Sequence, residues 1–387
     1  MTSVDAAPPG HGCNLAAVVE RIPSHCFWEI TDACNLRCIH CEADSGRADP
    51  AELSSAEALS LVDELAECGC QRVCLTGGEP LLRRDWPAIA RRFAERGVEV
   101  TVITNGLRVD DEALRTMNAA GVTGLSVSVD GRQAVHDAIR IGARSRDGSV
   151  YVRALAAIER AKQAGLKVAV ITQVHRHNLD DLQMLHDLFA TFAVDVWQLQ
   201  ICMPLGRLIR FREKYLLEPR QIPELAAKIE SFIRAGQVSV LVADNIGYYG
   251  RSEPLLRSSM KPQPTFWAGC MAGCRVVGIR SNGDVKGCPS HPEQFVVGNV
   301  RESSFAELWG DPSNFAYNTA FDSRLLEGRC ADCAYRELCR AGCTSMAFAV
   351  TGTIYDNPFC LQRAAQVPDR RRPDALRVFD PASGRLR

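Results

Sequence analysis

Between residue 26 and about residue 236 the chain alternates short runs rich in Val, Ile, Leu and Thr with longer stretches whose apolar residues recur at helical spacing. The short runs, near 26–31, 72–76, 98–103, 123–129, 167–174 and 195–201, read as β-strands. The stretches between them read as helices. In one, Ser54 and Glu57 form the S-x-x-E pattern of a capping box ahead of Leu59, Val62 and Leu65. In another, Leu182, Leu185, Phe189 and Phe192 share one face and are assigned to core packing. Repeated strand–helix units imply a parallel sheet. Six units are fewer than the eight of a closed barrel, so the expected fold is α/β, a partial (β/α)6 TIM-like barrel open along one side. Active residues then belong at the C-terminal ends of the strands.

After about residue 250 the alternation stops and Gly, Pro and Cys become frequent, which predicts a second domain too irregular to continue the same sheet. Its clearest element is a hairpin: Asn282-Gly283 is a turn signal between Val276-Val277-Gly278-Ile279 and Asp284-Val285-Lys286. The expected divisions are an N-terminal segment (1–25), the barrel (26–240), a bridge (241–269), a Cys-rich domain (270–365) and a polar tail (366–387). The tail contains Arg370-Arg371-Arg372 and reads as a solvated arm. No internal repeat is visible.

With 45 basic and 46 acidic residues among 387, the net charge is −1, and no nucleic acid partner is expected. No apolar stretch reaches the roughly 18 residues of a membrane helix, and residues 1–25 lack the plan of a signal peptide, so a cytoplasmic location without membrane contact is expected. The 17 cysteines change the picture, because a reducing compartment makes a disulfide framework a poor explanation and metal binding a better one.

Cys34, Cys38 and Cys41 form C-x3-C-x2-C directly after the first strand, so one short loop brings three thiols to a strand end. Structural zinc takes four ligands, whereas three cysteines on an iron–sulfur cube leave one iron open. Zinc completed by His40 or a distant ligand is the alternative, and His40 could instead cover a cluster. This spacing and place resemble the signature of the radical S-adenosylmethionine (SAM) superfamily, in which the open iron chelates the amino and carboxylate groups of SAM. Thr76-Gly77-Gly78-Glu79-Pro80, after the second strand, resembles that family's GGEP motif. The resemblance implies that Gly77, Gly78, Glu79 and Pro80 receive the methionine amino group, with glycine allowing close approach. Ser128-Val129-Asp130-Gly131 and His136-Asp137-Ala138-Ile139-Arg140 also match the pattern, which implies that Ser128 and Arg140 hold the SAM carboxylate. Asn105, in Thr104-Asn105-Gly106, is a further contact by likeness, or else a turn asparagine. The implied chemistry is reductive cleavage of SAM to a 5′-deoxyadenosyl radical that removes a substrate hydrogen, with the protein supplying positioning and exclusion of water.

Cys270-x12-Gly283-x4-Cys288, Cys330-x2-Cys333-x5-Cys339-x3-Cys343 and Cys360 resemble the SPASM extension of radical SAM peptide modifiers. With Cys274 the set numbers eight, enough for two auxiliary [4Fe–4S] clusters and three clusters in all. The resemblance implies one auxiliary cluster on Cys270, Cys274, Cys288 and Cys343, and the other on Cys330, Cys333, Cys339 and Cys360. Without Cys274 one auxiliary iron is open. Two structural zinc sites are the alternative for the whole set. Cys13, Cys26, Cys68, Cys70, Cys74 and Cys202 fit no ligand spacing and are expected as buried small residues, although Cys202 ends the sixth strand and is a candidate for substrate contact.

The SPASM likeness implies an oxidoreductase that matures a ribosomally made peptide, by crosslinking or oxidation. Other readings are a tetrapyrrole (heme-type) modifying enzyme, an anaerobic sulfatase maturase, and a non-catalytic electron carrier or scaffold. Sulfatase maturases carry an Asp base after the cysteine that follows Gly-x4, and here Cys288 is followed by Pro289. Expected partners are a precursor peptide, a separate peptide-recognition protein, since 25 residues leave no room for a fused one, and a flavodoxin- or ferredoxin-type reductant. Asp244, Tyr248 and Tyr249 in the bridge are candidate substrate contacts, and Arg207, Arg210, Arg212 and Lys214 form a basic stretch for an acidic leader or a solvated face.

Overall fold

Apolar side chains at every second position give each strand one face that must be covered, and the amphipathic segments between strands cover it. The structure, a computed structural model, describes residues 21–142, 148–260 and 265–364, and the backbone of 379–380 and 385–386. Cys13 and Arg370 to Arg372 lie outside the described residues. The first part runs β1 (His25–Thr31), α1 (Ser55–Glu67), β2 (Arg72–Gly77), α2 (Trp86–Glu95), β3 (Glu99–Thr104), α3 (Asp111–Ala119), β4 (Val122–Ser128), α4 (Gln133–Ile139), α5 (Val150–Gln163), β5 (Lys167–Val174), α6 (Leu182–Thr191), β6 (Val196–Ile201), α7 (Ile222–Ala235) and β7 (Ser239–Val242). Each strand from β1 to β7 pairs in parallel with the next. The six expected strands are present within a residue of their predicted limits, and the capping box of Ser54 and Glu57 starts α1.

Parity along the strands separates two faces. Val100 and Val102 of β3, and Trp197, Leu199 and Ile201 of β6, are buried in one core with Leu182, Leu185 and Phe189 of α6. Each such side chain removed from water contributes roughly 1.5–3 kcal/mol. The intervening positions face the concave side and are polar toward its mouth: Glu29, Thr76, Thr101, Ser126, Gln173, Gln198 and Gln200.

Two features depart from expectation. Ser239–Val242 forms a seventh parallel strand; four residues are too few to announce themselves, although Val240 and Val242 alternate inward. The segment expected to leave the sheet instead extends it. β8 (Val276–Ile279) lies parallel to β1, then β9 (Asp284–Lys286) and β10 (Val296–Asn299) add antiparallel, giving the order β10-β9-β8-β1-β2-β3-β4-β5-β6-β7. The cause is the free edge of β1, whose backbone groups require partners that Val276–Ile279 supplies while burying Val277 and Ile279. Of the turn pair, only Gly283 takes a positive φ, 92°. The outer strands β7 and β10 do not pair, so the barrel stays open. Arg301 ties the two parts, donating from Nε to Glu57 Oε1 (2.6 Å) and from its terminal nitrogens to the carbonyls of Ala51 (2.9 Å) and Glu52 (3.2 Å).

Candidate active site

The loop after β1 carries the first cysteines. Thr31 Oγ1 donates to Glu52 Oε1 (2.9 Å) and accepts from Ala33 N (3.0 Å), which stops the strand. Cys34 N to Gly46 O (3.1 Å) and Gly46 N to Asp32 O (2.8 Å) close the loop at its base. Burial pushes the Cys38 thiol up to about 12 against the pull of Arg140, and the Cys41 and Cys34 thiols push it further. Burial also raises Cys34, with Glu79 and Cys41 adding to it. The three thiols therefore lie within each other's fields. His40 turns away from them: its Nε2 is 3.2 Å from Asp130 Oδ2, and burial keeps the ring neutral. The Nε2 of His40 is thus taken by Asp130, which leaves Nδ1 buried without a hydrogen-bond partner.

The GGEP turn docks onto this loop. Gly78 N donates to Thr31 O (2.7 Å) and Glu79 N to Ala33 O (2.8 Å). A Cβ on Gly77, whose φ is 134°, would fall 2.2 Å from Thr31 O, and one on Gly78 would fall 2.3 Å from Ala33 O. The two glycines thus permit backbone contact between β2 and the cysteine loop. Pro80 opens a single 3-10 turn, Pro80–Leu82. Glu79 is fully buried, and its carboxylate accepts from Thr104 Oγ1 (2.8 Å) and Asn105 N (2.9 Å). Burial nevertheless lifts it to about 7, so a cationic partner is what this carboxylate lacks. Both ends of the Asn105 amide are used inside the protein, Nδ2 donating to Asn35 Oδ1 (2.7 Å) and Oδ1 accepting from Leu107 N (3.0 Å). Asn105 therefore braces the cysteine loop.

At the end of β4, Ser128 is buried and Asp130 is a hub that the sequence reading passed over. Asp130 Oδ2 accepts from Arg140 Nε (2.6 Å), Oδ1 accepts from Gln173 N (2.9 Å), and the Asp130 carbonyl accepts from Asn178 Nδ2 (2.8 Å). Burial opposes its ionisation, but Arg140 and His40 hold it well below the usual carboxylate range. Burial opposes the charge of Arg140, Asp130 holds it, and Cys38 stands beside it. The missed residue was inside the quoted Ser-Val-Asp-Gly motif, but a lone Asp gives no local sign of a partner ten residues on.

The eight later cysteines fall into two groups. The field of Cys270 raises Cys274 and Cys288, and Cys270 and Cys288 together raise Cys343, in each case behind a larger effect of burial. Asn318 Nδ2 binds this group's backbone, donating to Cys270 O (2.6 Å) and Ala272 O (2.7 Å). Cys330, Cys333, Cys339 and Cys360 line a cavity of about 410 Å³, and Cys339 is raised by burial and then by the other three. Among the described residues no three His, Cys, Asp or Glu side chains converge on a point as a single metal ion would require. Grouped, buried thiols that repel one another are a donor set suited to iron–sulfur clusters, whose cations stabilise thiolates.

The bridge residues pack between these groups. Tyr248 is buried; its hydroxyl donates to Asp244 O (2.5 Å) and accepts from Cys343 N (2.8 Å). Tyr249 stacks on Tyr335 at 4.2 Å and its hydroxyl donates to Trp267 O. Both tyrosine hydroxyls are therefore used in bonds within the protein, and Tyr248 also lines the cavity of about 410 Å³. The Asp244 carboxylate lies in the field of Cys270 and Cys343. Cys202 is not open to a cavity: it packs with Ile39, Ile139, Leu208 and Tyr215 in a small apolar cluster. Of the basic stretch, Arg207 reaches into the cysteine loop, and Lys214 covers the Tyr215 ring at 5.4 Å. A second cavity, about 140 Å³, opens between the cysteine loop and the segment after Cys288, with Glu29, Asp32, Glu42, Leu205, Lys286 and Ser290 among its walls.

Profiles of two families match the chain: the radical SAM superfamily over residues 28–189 and the SPASM iron–sulfur cluster-binding domain over residues 270–334. An AdoMet-dependent heme synthase of Methanosarcina barkeri is 31% identical over 350 residues, which are 87% of this chain and 95% of that protein. This chain is a radical SAM enzyme with a SPASM domain. Mycofactocin maturase MftC of Mycobacterium ulcerans is 32% identical to the enzyme over 340 residues, 86% of the chain and 85% of the relative. Streptococcus suis SuiB bound to S-adenosylmethionine shares the fold with a TM-score of 0.68 at 15% identity, covering 90% of the enzyme and 79% of SuiB. The radical SAM enzyme therefore works with SAM and iron–sulfur chemistry. No described helix is long and apolar enough to cross a membrane.

Proposed function

We propose that the enzyme removes a hydrogen atom from a side chain or α carbon of a ribosomally made peptide, maturing it by crosslinking or oxidation. Three [4Fe–4S] clusters serve this reading, one on Cys34, Cys38 and Cys41 and two on the groups of four described above. When bound, SAM and the first cluster supply the carbon-centred radical that takes the hydrogen. Glu79 is then the acceptor for the SAM ammonium, and Ser128 and Arg140 are the residues that would hold its carboxylate. Asp130 orients Arg140 and His40, and the apolar cluster around Cys202 keeps water from behind the loop.

The character of the concave face carries the choice of substrate. Its amides and hydroxyls include Gln173, Ser126 and the Gln198–Gln200 pair, groups of the kind that bond to a polypeptide backbone. The cavity beside the cysteine loop, about 140 Å³, suits one side chain, whereas pockets for whole cofactors run to roughly 300–1,000 Å³. Glu29, Asp32, Glu42 and Glu293 outnumber Arg280 and Lys286 in its walls, a charge balance that repels the carboxylates of a tetrapyrrole. The similarity to mycofactocin maturase supports the same reading. A second reading, tetrapyrrole modification, is favoured by the heme synthase relative, 95% of whose length is matched. Sulfatase maturation fits less well: Pro289 stands where the base would be, and its carbonyl accepts from Lys286 Nζ at 2.6 Å.

The test is to reduce the reconstituted enzyme with SAM in the presence of either short peptides encoded beside its gene or an iron tetrapyrrole. Mass spectrometry of both substrate classes decides: a mass loss on a peptide supports the proposal, and turnover of the tetrapyrrole alone overturns it. The precursor peptide, a separate peptide-binding protein and a flavodoxin- or ferredoxin-type reductant are the partners this reading requires.

A further inference from the structure

The cysteine loop has little regular structure of its own. Between Cys38 and Ser45 its internal backbone bonds are Cys41 N to Cys38 O (3.3 Å) and Asp44 N to Cys41 O (3.4 Å), and Asp44 takes a left-handed φ of 50°. Ile39 N donates to Ile139 O (2.8 Å) and His40 contacts Asp130, and the largest set of bonds to this stretch comes from the loop after β6. Arg207 donates from Nη1 to Cys38 O (2.7 Å), from Nη2 to Ser45 O (2.7 Å), from Nε to Asp44 Oδ1 (2.8 Å) and from its backbone N–H to Cys41 O (3.0 Å). Its side chain is 12% exposed, so the fork is largely shielded from water. The neighbouring Gly206 closes the approach: a Cβ there would fall 2.5 Å from Cys41 O and 2.2 Å from Glu42 O.

We propose that Arg207 is the positioning residue of the SAM cluster, a guanidinium clamp that sets the backbone of Cys38 and Cys41 so that their thiols meet Cys34. The inference rests on the reading that these three cysteines hold the cluster. The planar fork is essential to it, because three divergent acceptors in one plane suit a guanidinium and not an ammonium. Arg207 is not among the walls of either cavity described above, and its effect passes through the loop.

The experiment uses the full chain, reconstituted without oxygen, as wild type, R207A, R207K and a variant with Cys34, Cys38 and Cys41 all changed to Ala. Iron per chain should fall in R207A from about twelve toward about eight, the auxiliary clusters remaining. The change in the cluster's electron paramagnetic resonance signal on adding SAM should vanish with it. Methylguanidinium present during reconstitution should restore both in R207A, which a general loss of folding would not allow. In the cluster-free protein, amides 34–46 should exchange faster in R207A than in wild type. R207K should lose most of the signal despite keeping the charge, and it carries the test if R207A does not accumulate. Full iron and unchanged loop exchange in R207A, with iron lost from the triple-cysteine variant, overturn the clamp alone. Full iron in the triple-cysteine variant overturns the cluster reading and the clamp together.

Discussion

Asp130→Asn isolates the hub of the SAM site. The Asp130 carboxylate is fully buried and bonded at 2.6 Å to Arg140, itself nearly buried. Asparagine keeps an oxygen for Gln173 N but presents an NH2 group toward Arg140 Nε and His40 Nε2, so the guanidinium loses its counter-charge. Breaking a buried pair by removing one partner costs about 3–5 kcal/mol, mostly the penalty of the stranded charge. Unfolding entropy for 387 residues is about 0.8 kcal/mol per kelvin. The melting temperature should therefore fall by about 4–6 °C. Thermal unfolding followed by circular dichroism under anaerobic conditions measures it. The double change D130N/R140Q should recover much of the loss, since the unpaired charge is gone. A depressed carboxylate contributes stability that is present above its unfolded pKa, about 3.9, and is lost as pH falls through its lower folded value. The difference between wild type and D130N should thus stay constant from pH 8 to 6 and narrow only in strong acid. A D130N protein melting within about 1 °C of wild type at pH 7 would refute the hub.

Gly78→Ala places a Cβ 2.3 Å from Ala33 O, where only backbone can yield. The expected cost is about 1–3 kcal/mol with displacement of the cysteine loop, read as loss of about four iron atoms per chain with the auxiliary signals intact. Glu79 is raised to about 7, and only its ionised form attracts an ammonium, so SAM affinity should weaken as pH falls below about 7. Equilibrium dialysis across pH 6–8 checks this, and E79Q should bind weakly with no such dependence. Tyr248→Phe removes the partner of the buried Cys343 N–H, and the melting temperature should drop by about 1–4 °C, corresponding to about 1–3 kcal/mol.

Much of the site was legible because its signals are local. Cys34, Cys38 and Cys41 sit within one loop, and Gly77 to Pro80 within one turn, so spacing alone brings their chemistry together. Asp130 and Arg207 were missed for the opposite reason. Arg207 bonds to residues more than 160 positions earlier, and in the sequence it looks like any basic residue of a polar loop. Cys202 is the buried small residue expected by default, whereas for Tyr248 and Tyr249 a polar residue at a domain junction looks the same whether its hydroxyl faces substrate or protein.

By itself the sequence determined the strand–helix alternation, the direction of the buried face in each strand and the two cysteine families, since periodicity and ligand spacing act over a few residues. The tertiary structure alone decided that Val276–Ile279 completes the edge of β1, about 250 positions away. It also decided which arginine holds the loop. Each of these depends on backbone edges, buried charges and carbonyls that acquire partners only when distant segments are folded onto one another, and no local pattern in the chain encodes that meeting.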